Sequence, residues 1–151
     1  IVSMRWGFQR KGLGVVNNTR SDNLDSQMWS EAIKERRCLI PVASYYEWTG
    51  PRGNKQTHRF QSPTHEWLWM AGIWEESTDL GPCFSMLTTG ANSLVSPIHH
   101  RMPAILTADE QESFLANGLD QFAPSPDLLT TERCANPLLK NPPSHIQEEL
   151  F

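Results

Sequence analysis

Three polar residues that lie far apart in the sequence have side chains suited to proton transfer and hydrogen bonding: Asn18, Glu47 and His99. Glu47 lies between Tyr46 and Trp48, and neighbouring strand residues point to opposite faces, so its carboxylate faces away from both rings. In a cleft, desolvation would raise the pKa of this carboxyl group and suit it to general acid–base chemistry. The alternative is the solvent side of a half-exposed strand, where most acidic side chains lie.

His99 and His100 precede Arg101 in a loop bounded by prolines. An imidazole titrates near neutral pH, so one of the two could act as a proton shuttle. Adjacent residues of an extended chain cannot both point into one site, and the sequence therefore predicts at most one catalytic histidine. The alternative is a polar loop in which one histidine bonds to the backbone.

Two segments carry groups that could bind nucleic acid. In Asn18-Thr19-Arg20 the amide offers hydrogen bonds and the guanidinium can hold a phosphate, although such a polar run also suits a simple turn. Trp6 follows Arg5 at the edge of a basic loop, which is an arrangement suited to stacking on an unpaired base. Its alternative is core packing, which we predict for the tryptophans at positions 29, 69 and 74.

The three cysteines, Cys38, Cys83 and Cys134, are odd in number and form no Cys-x-x-Cys pair. A disulfide framework and a zinc site are therefore not expected, and the sequence predicts no metal and no cofactor. Cys38 could be paired with His99 as a peptidase nucleophile. Its place at the start of an apolar strand instead predicts a small buried hydrophobic residue.

The composition predicts one soluble domain over residues 1–151. No apolar run approaches the length of about 20 residues needed to span a membrane, and the start lacks the layout of a signal peptide, so a cytoplasmic location is expected. The net charge is −4, whereas nucleic-acid-binding domains are usually basic. Binding to DNA would therefore need positive charge concentrated in a groove, for which the candidates are Arg5, Arg10, Lys11 and Arg20.

The elements that must position these residues are mostly short strands. Strands are predicted at residues 38–42, 45–48, 57–61, 67–74, 84–89 and 104–106, the first at a sheet edge or end because of Pro41. One helix should start near Asp25, capped by Asp25 or Ser26. A second should start at the capping box of Thr107 and Glu110 and end at Asn117-Gly118. The chain from Pro124 onward is predicted to be mostly irregular, and the absence of a βαβ rhythm favours an α+β fold.

Four motifs occur in one order along the chain: Trp6-Gly7-Phe8, Asn18-Thr19-Arg20-Ser21-Asp22, Arg37-Cys38-Leu39-Ile40-Pro41 with Tyr46-Glu47-Trp48, and Ile98-His99-His100-Arg101-Met102-Pro103. Together they resemble the SRAP (SOS-response-associated peptidase) family over roughly residues 6–119. The resemblance implies a SRAP-like α+β fold: a mixed or antiparallel sheet, or a partly open barrel, with flanking helices. It also implies a monomer that recognises abasic sites in single-stranded DNA.

The family's chemistry uses an N-terminal cysteine that forms a thiazolidine crosslink with the opened abasic sugar, and its peptidase activity removes residues preceding that cysteine. By resemblance, Glu47 would assist ring opening, Asn18 would hold the cysteine and the lesion, and His99 would contact the lesion and help to resolve the adduct. The family pattern also assigns DNA-binding residues, which here are Trp6 over a neighbouring base and Arg5, Arg20 and Arg101 on phosphates.

The sequence departs from the family pattern because it begins with Ile1 and lacks the Met-Cys-Gly-Arg start. The expectation is a single SRAP domain, residues 1–151, without the N-terminal segment that carries the catalytic cysteine. The stretch between Gly7 and Asn18 is also short, and Asp22 replaces a glutamate. Two alternatives stay open: a non-catalytic module that binds single-stranded DNA, of phage or plasmid origin, and a conventional cysteine peptidase using Cys38 and His99.

Overall fold

The computed structural model describes residues 1–139. Within that range the chain forms mainly β-structure with two short α-helices. The strands are β1 (Arg5–Trp6), β2 (Phe8–Arg10), β3 (Gly14–Val16), β4 (Asn18–Arg20), β5 (Arg37–Val42), β6 (Ser44–Thr49), β7 (Gln56–Gln61), β8 (Leu68–Ser77), β9 (Gly81–Gly90), β10 (Arg101–Pro103) and β11 (Thr130–Cys134), and the helices are α1 (Ser30–Glu35) and α2 (Ala108–Leu115).

Strand β9 is the centre of a six-stranded mixed sheet. Along one edge it pairs in parallel first with β1 and then with β4. Along its other edge it pairs antiparallel first with β8 and then with β10, and β5 lies beyond β8. A second, antiparallel sheet has the order β11-β7-β6, and β2 and β3 form a hairpin. This mixed half-barrel with few helices confirms the predicted α+β class.

Two clusters of buried side chains join these layers. The first joins both helices to the six-stranded sheet, and its members include Phe8, Trp29, Ile33, Ile73, Leu87 and Phe114. The second lies between the two sheets and includes Phe60 of β7, Met70 of β8 and Met102 of β10. Tyr45 packs against the second cluster, its ring stacked on Phe60 with centroids 4.9 Å apart. This packing places Tyr45 of β6 in the same cluster as Met86 of β9 and Met102 of β10.

Several sequence predictions of secondary structure are confirmed. Strand β5 is an edge strand, which agrees with a proline at position 41. Helix α2 has the predicted capping box: the Glu110 carboxylate accepts from the Thr107 N–H at 2.8 Å, and the Thr107 hydroxyl accepts from the Glu110 N–H. The chain leaves this helix through Asn117, whose φ is +62°.

Four predictions were wrong. Helix α1 begins at Ser30 and has no side-chain cap, because the chain near Asp25 forms turns instead. The strand predicted at residues 104–106 is reduced to an isolated antiparallel bridge between Ile105 and Met70 of β8, and the longer pairing lies earlier, where β10 pairs with β9. The chain from Pro124 onward, which was predicted to be mostly irregular, contains β11, and this strand pairs with β7. The part of that prediction from position 140 on lies outside the described residues. Trp69 is not core, since it is 37% exposed on β8.

Gly7 allows the chain to turn from β1 into β2. Its φ is +105°, and its N–H donates to the Phe84 carbonyl at 2.8 Å. A Cβ at this position would lie 2.4 Å from both Asn17 Oδ1 and Val15 Cγ1. Any side chain here must therefore strain the backbone and displace Val15 and Asn17, whose carbonyl accepts a hydrogen bond from Trp6.

Gly7→Ala should destabilise the protein more than Gly12→Ala. Both glycines have a positive φ, which costs an L-residue roughly 1–2 kcal/mol, but nothing lies within 4 Å of a Cβ at Gly12. The difference between the two variants in free energy of unfolding, measured by urea denaturation, isolates the steric contact. Equal losses would show that Gly7 is required for its dihedral angle alone.

Candidate functional site

An open cleft of about 750 Å³ lies between the two sheets. Its charged, amide and imidazole side chains come from three separate parts of the sequence, and apolar and aromatic side chains complete the lining. The polar lining includes Asn18, Arg20, Glu47, His99, His100 and Arg101, and the apolar lining includes Trp6, Tyr45, Met70, Phe84, Met86 and Met102.

The register of β9 aligns one wall of this cleft. Asn18 lies opposite Met86 and Arg20 opposite Thr88 on the β4 side, while Arg101 lies opposite Gly90 on the β10 side. Residues separated by more than 80 positions in sequence are thereby held within a few residues of each other along β9. Glu47, from β6, lies on the facing wall.

The carboxylate of Glu47 and the imidazole of His99 are close neighbours. Glu47 Oε1 is 3.9 Å from His99 Nδ1, which is longer than a hydrogen bond. Burial raises the pKa of Glu47 above that of an ordinary carboxyl group, and a positive charge on His99 opposes this shift. The carboxyl group can therefore hold a proton at a higher pH than an exposed glutamate and release it within the same cleft, as a general acid–base group must.

The backbone of Arg101 orients the imidazole of His99. Nδ1 lies 2.8 Å from the Arg101 carbonyl oxygen and 3.2 Å from the Arg101 nitrogen. The shorter contact favours the tautomer in which Nδ1 carries the proton and donates it to the carbonyl oxygen. In this tautomer Nε2 keeps a lone pair that can accept a proton.

Both histidines line the cleft, whereas adjacent residues of an extended chain would point apart; that at most one of them is catalytic stays a prediction. The prediction assumed an extended chain, but residues 93–98 form successive turns, and the Ile98 and His99 N–H groups both donate to the Val95 carbonyl. The two rings lie 4.6 Å apart at an angle of 40°. His100 is thus a cleft residue that the sequence argument set aside.

Two arginines of the cleft lining, Arg20 and Arg101, lie near Thr88 of β9. Arg101 is mostly buried and donates from Nη2 to the carbonyl oxygen and the hydroxyl of Thr88. Arg20 is largely exposed and donates from Nε and Nη2 to the carboxylate of Asp22. Arg5, the third arginine predicted to bind DNA, is exposed on β1 and does not line the cleft. Thr88 was not predicted as a site residue, because its contact with Arg101 joins positions remote in the chain. Asp22 belongs to the second motif, but the sequence gave it no role, since its contact with Arg101 is equally remote.

Trp6 forms an aromatic platform at the rim of the cleft. Its ring is 52% exposed, which is not the exposure of a core residue. One face stacks on Phe84 with centroids 6.5 Å apart and planes 8° from parallel, and Nε1 donates to the Asn17 carbonyl at 2.9 Å. The indole is therefore fixed in orientation while part of it stays open to solvent. Phe84 was not predicted as a site residue, because an aromatic in an apolar strand resembles ordinary core.

Cys38 does not line this cleft. It lies on β5, with its sulfur close to the backbone of Gly72 on β8, and burial raises the pKa of its thiol to about 12. The thiolate is the nucleophilic form of cysteine. A thiol held protonated in this way does not suit a peptidase that pairs Cys38 with His99.

The sequence matches the family of SOS response associated peptidases (SRAP) over residues 1–137. The chain therefore belongs to this family, as its four motifs indicated. Its relatives include the abasic site processing protein HMCES of Gallus gallus, 31% identical over 144 residues that cover 73% of this chain and 43% of the relative. The abasic site processing protein YoqW of Bacillus subtilis is 28% identical over 126 residues, covering 74% and 55%. The chain thus spans about half the length of the curated relatives it matches.

The fold is also similar to that of solved structures. A crystal structure of a protein from Bacteroides thetaiotaomicron superposes with a TM-score of 0.69 and 26% sequence identity, covering 83% of this chain and 61% of that one. Among residues 1–139, no helix is long and apolar enough to cross a membrane, and no three histidine, cysteine or acidic side chains cluster as metal ligands would.

Glu47→Gln should gain stability relative to the wild type as the pH rises from 4 to 7. Burial raises the folded-state pKa of Glu47, so the stability that its proton contributes is complete below the unfolded-state pKa of about 4.3 and is lost as the pH rises through the folded-state value. Glutamine has no proton to lose. The measurement is the difference in Tm between variant and wild type at several pH values, with the exposed Glu76→Gln as control. A difference that is independent of pH would contradict the raised pKa.

Proposed function

We propose that the cleft binds an abasic site in single-stranded DNA and processes it. The observation that carries the proposal is the convergence of Asn18, Glu47 and His99 on one cleft whose rim also holds two arginines and an exposed tryptophan. The names of the relatives, which are abasic site processing proteins, support the same substrate. The relatives' names do not specify the strandedness of the DNA, for which Trp6 supplies an argument.

Single-stranded DNA is favoured because Trp6 offers an exposed aromatic face. A base can stack on a side chain only when it has left its own helical stack, and such stacking contributes about 1–3 kcal/mol per base. Arg20 and Arg101 would contact phosphates on either side of the lesion and fix the register of the strand. All of these groups belong to one copy of the chain, so we propose that a monomer suffices for binding.

The covalent chemistry in this proposal needs a nucleophile that residues 1–151 do not include. We assign it to an N-terminal cysteine encoded upstream of Ile1. Its α-amine attacks the aldehyde carbon of the ring-opened sugar and water leaves, so that a C=N bond forms. The thiol sulfur then adds to that carbon while its proton passes to the nitrogen, and the thiazolidine ring closes. An α-amine is partly neutral near pH 8 and is therefore available as a nucleophile.

The cleft residues would supply the proton transfers that these steps require. Glu47, with its raised pKa, would protonate the sugar ring oxygen during opening and the hydroxyl that leaves as water. Asn18 would hold the cysteine and the sugar by hydrogen bonds. His99, oriented through Nδ1, would present Nε2 toward the adduct and assist its reversal. The same residues would serve the removal of any residues preceding the cysteine.

The protein carrying this cysteine at its N-terminus should form a covalent product with abasic single-stranded DNA that survives denaturing electrophoresis. Glu47→Gln should slow its formation by at least about 10²-fold, the lower end of a general acid–base contribution, while Glu76→Gln should not. Normal binding of abasic DNA without any covalent product would overturn the crosslinking mechanism. If the gene encodes no Met-Cys upstream of Ile1, the proposal reduces to a non-catalytic module that binds single-stranded DNA.

Trp6→Ala should weaken binding of single-stranded DNA by roughly 5- to 150-fold, because it removes a stacked base worth about 1–3 kcal/mol. Trp67→Ala is a matched control: Trp67 is exposed to a similar degree, 45% against 52%, but lines a different cleft. Fluorescence anisotropy with a labelled oligonucleotide measures both. Equal losses from the two variants would contradict a specific role for Trp6.

A further inference from the structure

The two arginines in the cleft share a single carboxylate. Arg20 donates to Asp22 from Nη2 at 2.6 Å and from Nε at 3.1 Å, and Arg101 Nη1 reaches the same carboxylate at 3.3 Å. Asp22 follows directly after β4, in a short 3₁₀ turn over Ser21–Asn23. Its carboxylate therefore lies between two guanidinium groups, in the type of environment that a DNA phosphate also prefers.

The Asp22 carboxylate stays ionised at any pH near neutrality. The hydrogen bonds from Arg20 hold the pKa of Asp22 well below its usual range, and the charge of Arg101 adds to this effect. Two guanidinium groups and one carboxylate leave one net positive charge. A phosphate approaching the arginines must therefore share donors with an anion that is already present.

Arg101 does not depend on Asp22 to stay in place, whereas the side-chain hydrogen bonds of Arg20 among the described residues all go to Asp22. Arg101 is fixed by Thr88, to which it donates twice, and its contact with Asp22 is the longest of the three. Arg20 and Asp22 are both more than half exposed, and ion pairs of this kind add little to stability. A purely structural role for the carboxylate is therefore weak, and its main effect is on the charge that an incoming anion meets.

We propose that Asp22 competes with DNA phosphates for Arg20 and Arg101 and so sets the baseline affinity of the cleft for any strand. This inference rests on the proposed binding of single-stranded DNA. It makes Asp22 a residue that lowers attraction to undamaged backbone while leaving the contacts to the lesion, by Asn18, Glu47 and His99, unchanged. Loss of the carboxylate should then strengthen binding, which is the reverse of what loss of a DNA-contacting residue does.

Asp22→Asn should raise the affinity for single-stranded DNA and make it more sensitive to salt. One additional net ion pair steepens the plot of log K against log [salt] by about 0.7 for a single strand. If the two plots meet near 1 M salt, the gain at 0.1 M is about fivefold. Undamaged and abasic oligonucleotides should gain by the same factor, because phosphate contacts carry no information about the lesion. Asp22→Glu, which keeps the charge, should bind like the wild type.

Asp120→Asn is a matched control. It makes the same change of charge and removes the partner of an arginine, Arg37, in a pair that is separate from the cleft lining. The proposal expects it to leave the affinity and the salt dependence unchanged. Thermal unfolding of both variants checks that the fold is intact.

The outcomes distinguish a failure of the proposed competition by Asp22 from a failure of the proposed binding of single-stranded DNA. A rise for Asp22→Asn without a rise for Asp120→Asn supports competition by Asp22. Unchanged or weaker binding by a folded Asp22→Asn variant overturns it, and weaker binding would make Asp22 a positioning residue. If the wild type fails to bind DNA, or if Arg20→Ala has no effect on binding, the proposed phosphate contact fails first. A gain confined to abasic DNA would place Asp22 beside the lesion and would also overturn the proposal.

Discussion

The backbone pairing of β9 is the constraint on which the candidate site depends. A strand has two edges, and the two edges of β9 hold four other strands in consecutive registers. The last part of β9, from Met86 to Gly90, carries Asn18 and Arg20 on one side and Arg101 on the other. A shift of either neighbour by one residue would turn these side chains to the opposite face of the sheet. The geometry of the cleft is therefore set by ladder hydrogen bonds more than by contacts among the site residues.

The second sheet contributes the carboxylate of Glu47, which is partly shielded from water. Glu47 lies on the same face of β6 as Tyr45, whose ring is stacked on Phe60 within the apolar cluster between the sheets. This neighbourhood removes water from the carboxyl group and raises its pKa, while His99 across the cleft limits the rise. An acid held between these two opposing effects can change protonation during a reaction without a large change in the surroundings. The apolar packing that stabilises the fold thus also raises the pKa of the carboxyl group to which we assign acid–base chemistry.

The sequence predicted much of this site and less of the fold that builds it. Asn18, Glu47, His99, Arg20, Arg101 and Trp6 all line the cleft, and they were found because ordered motifs resemble a family. Their physical patterns alone were weak, since each also suits a turn, a solvated strand or the core. The error about His100 came from assuming extended backbone where the chain turns. Strand β11 was missed because the pairing partner that makes Thr130–Cys134 a strand lies about 70 residues away on β7, and local propensity carries no information on such pairing.

The distribution of charge is consistent with the proposed binding of an anion by a chain with a net charge of −4. Among the described residues, ion pairs away from Asp22 match one arginine with one carboxylate: Arg10 with Glu75, Arg36 with Glu31, Arg37 with Asp120, and Arg59 with Glu132. At Asp22 alone, two arginines share one carboxylate. In these four pairs positive and negative charges match, whereas the guanidinium groups at Asp22 exceed the carboxylate by one. Because screening confines such a field to about 10 Å in 0.1 M salt, the attraction that we propose for Arg20 and Arg101 would act only on an anion close to the cleft.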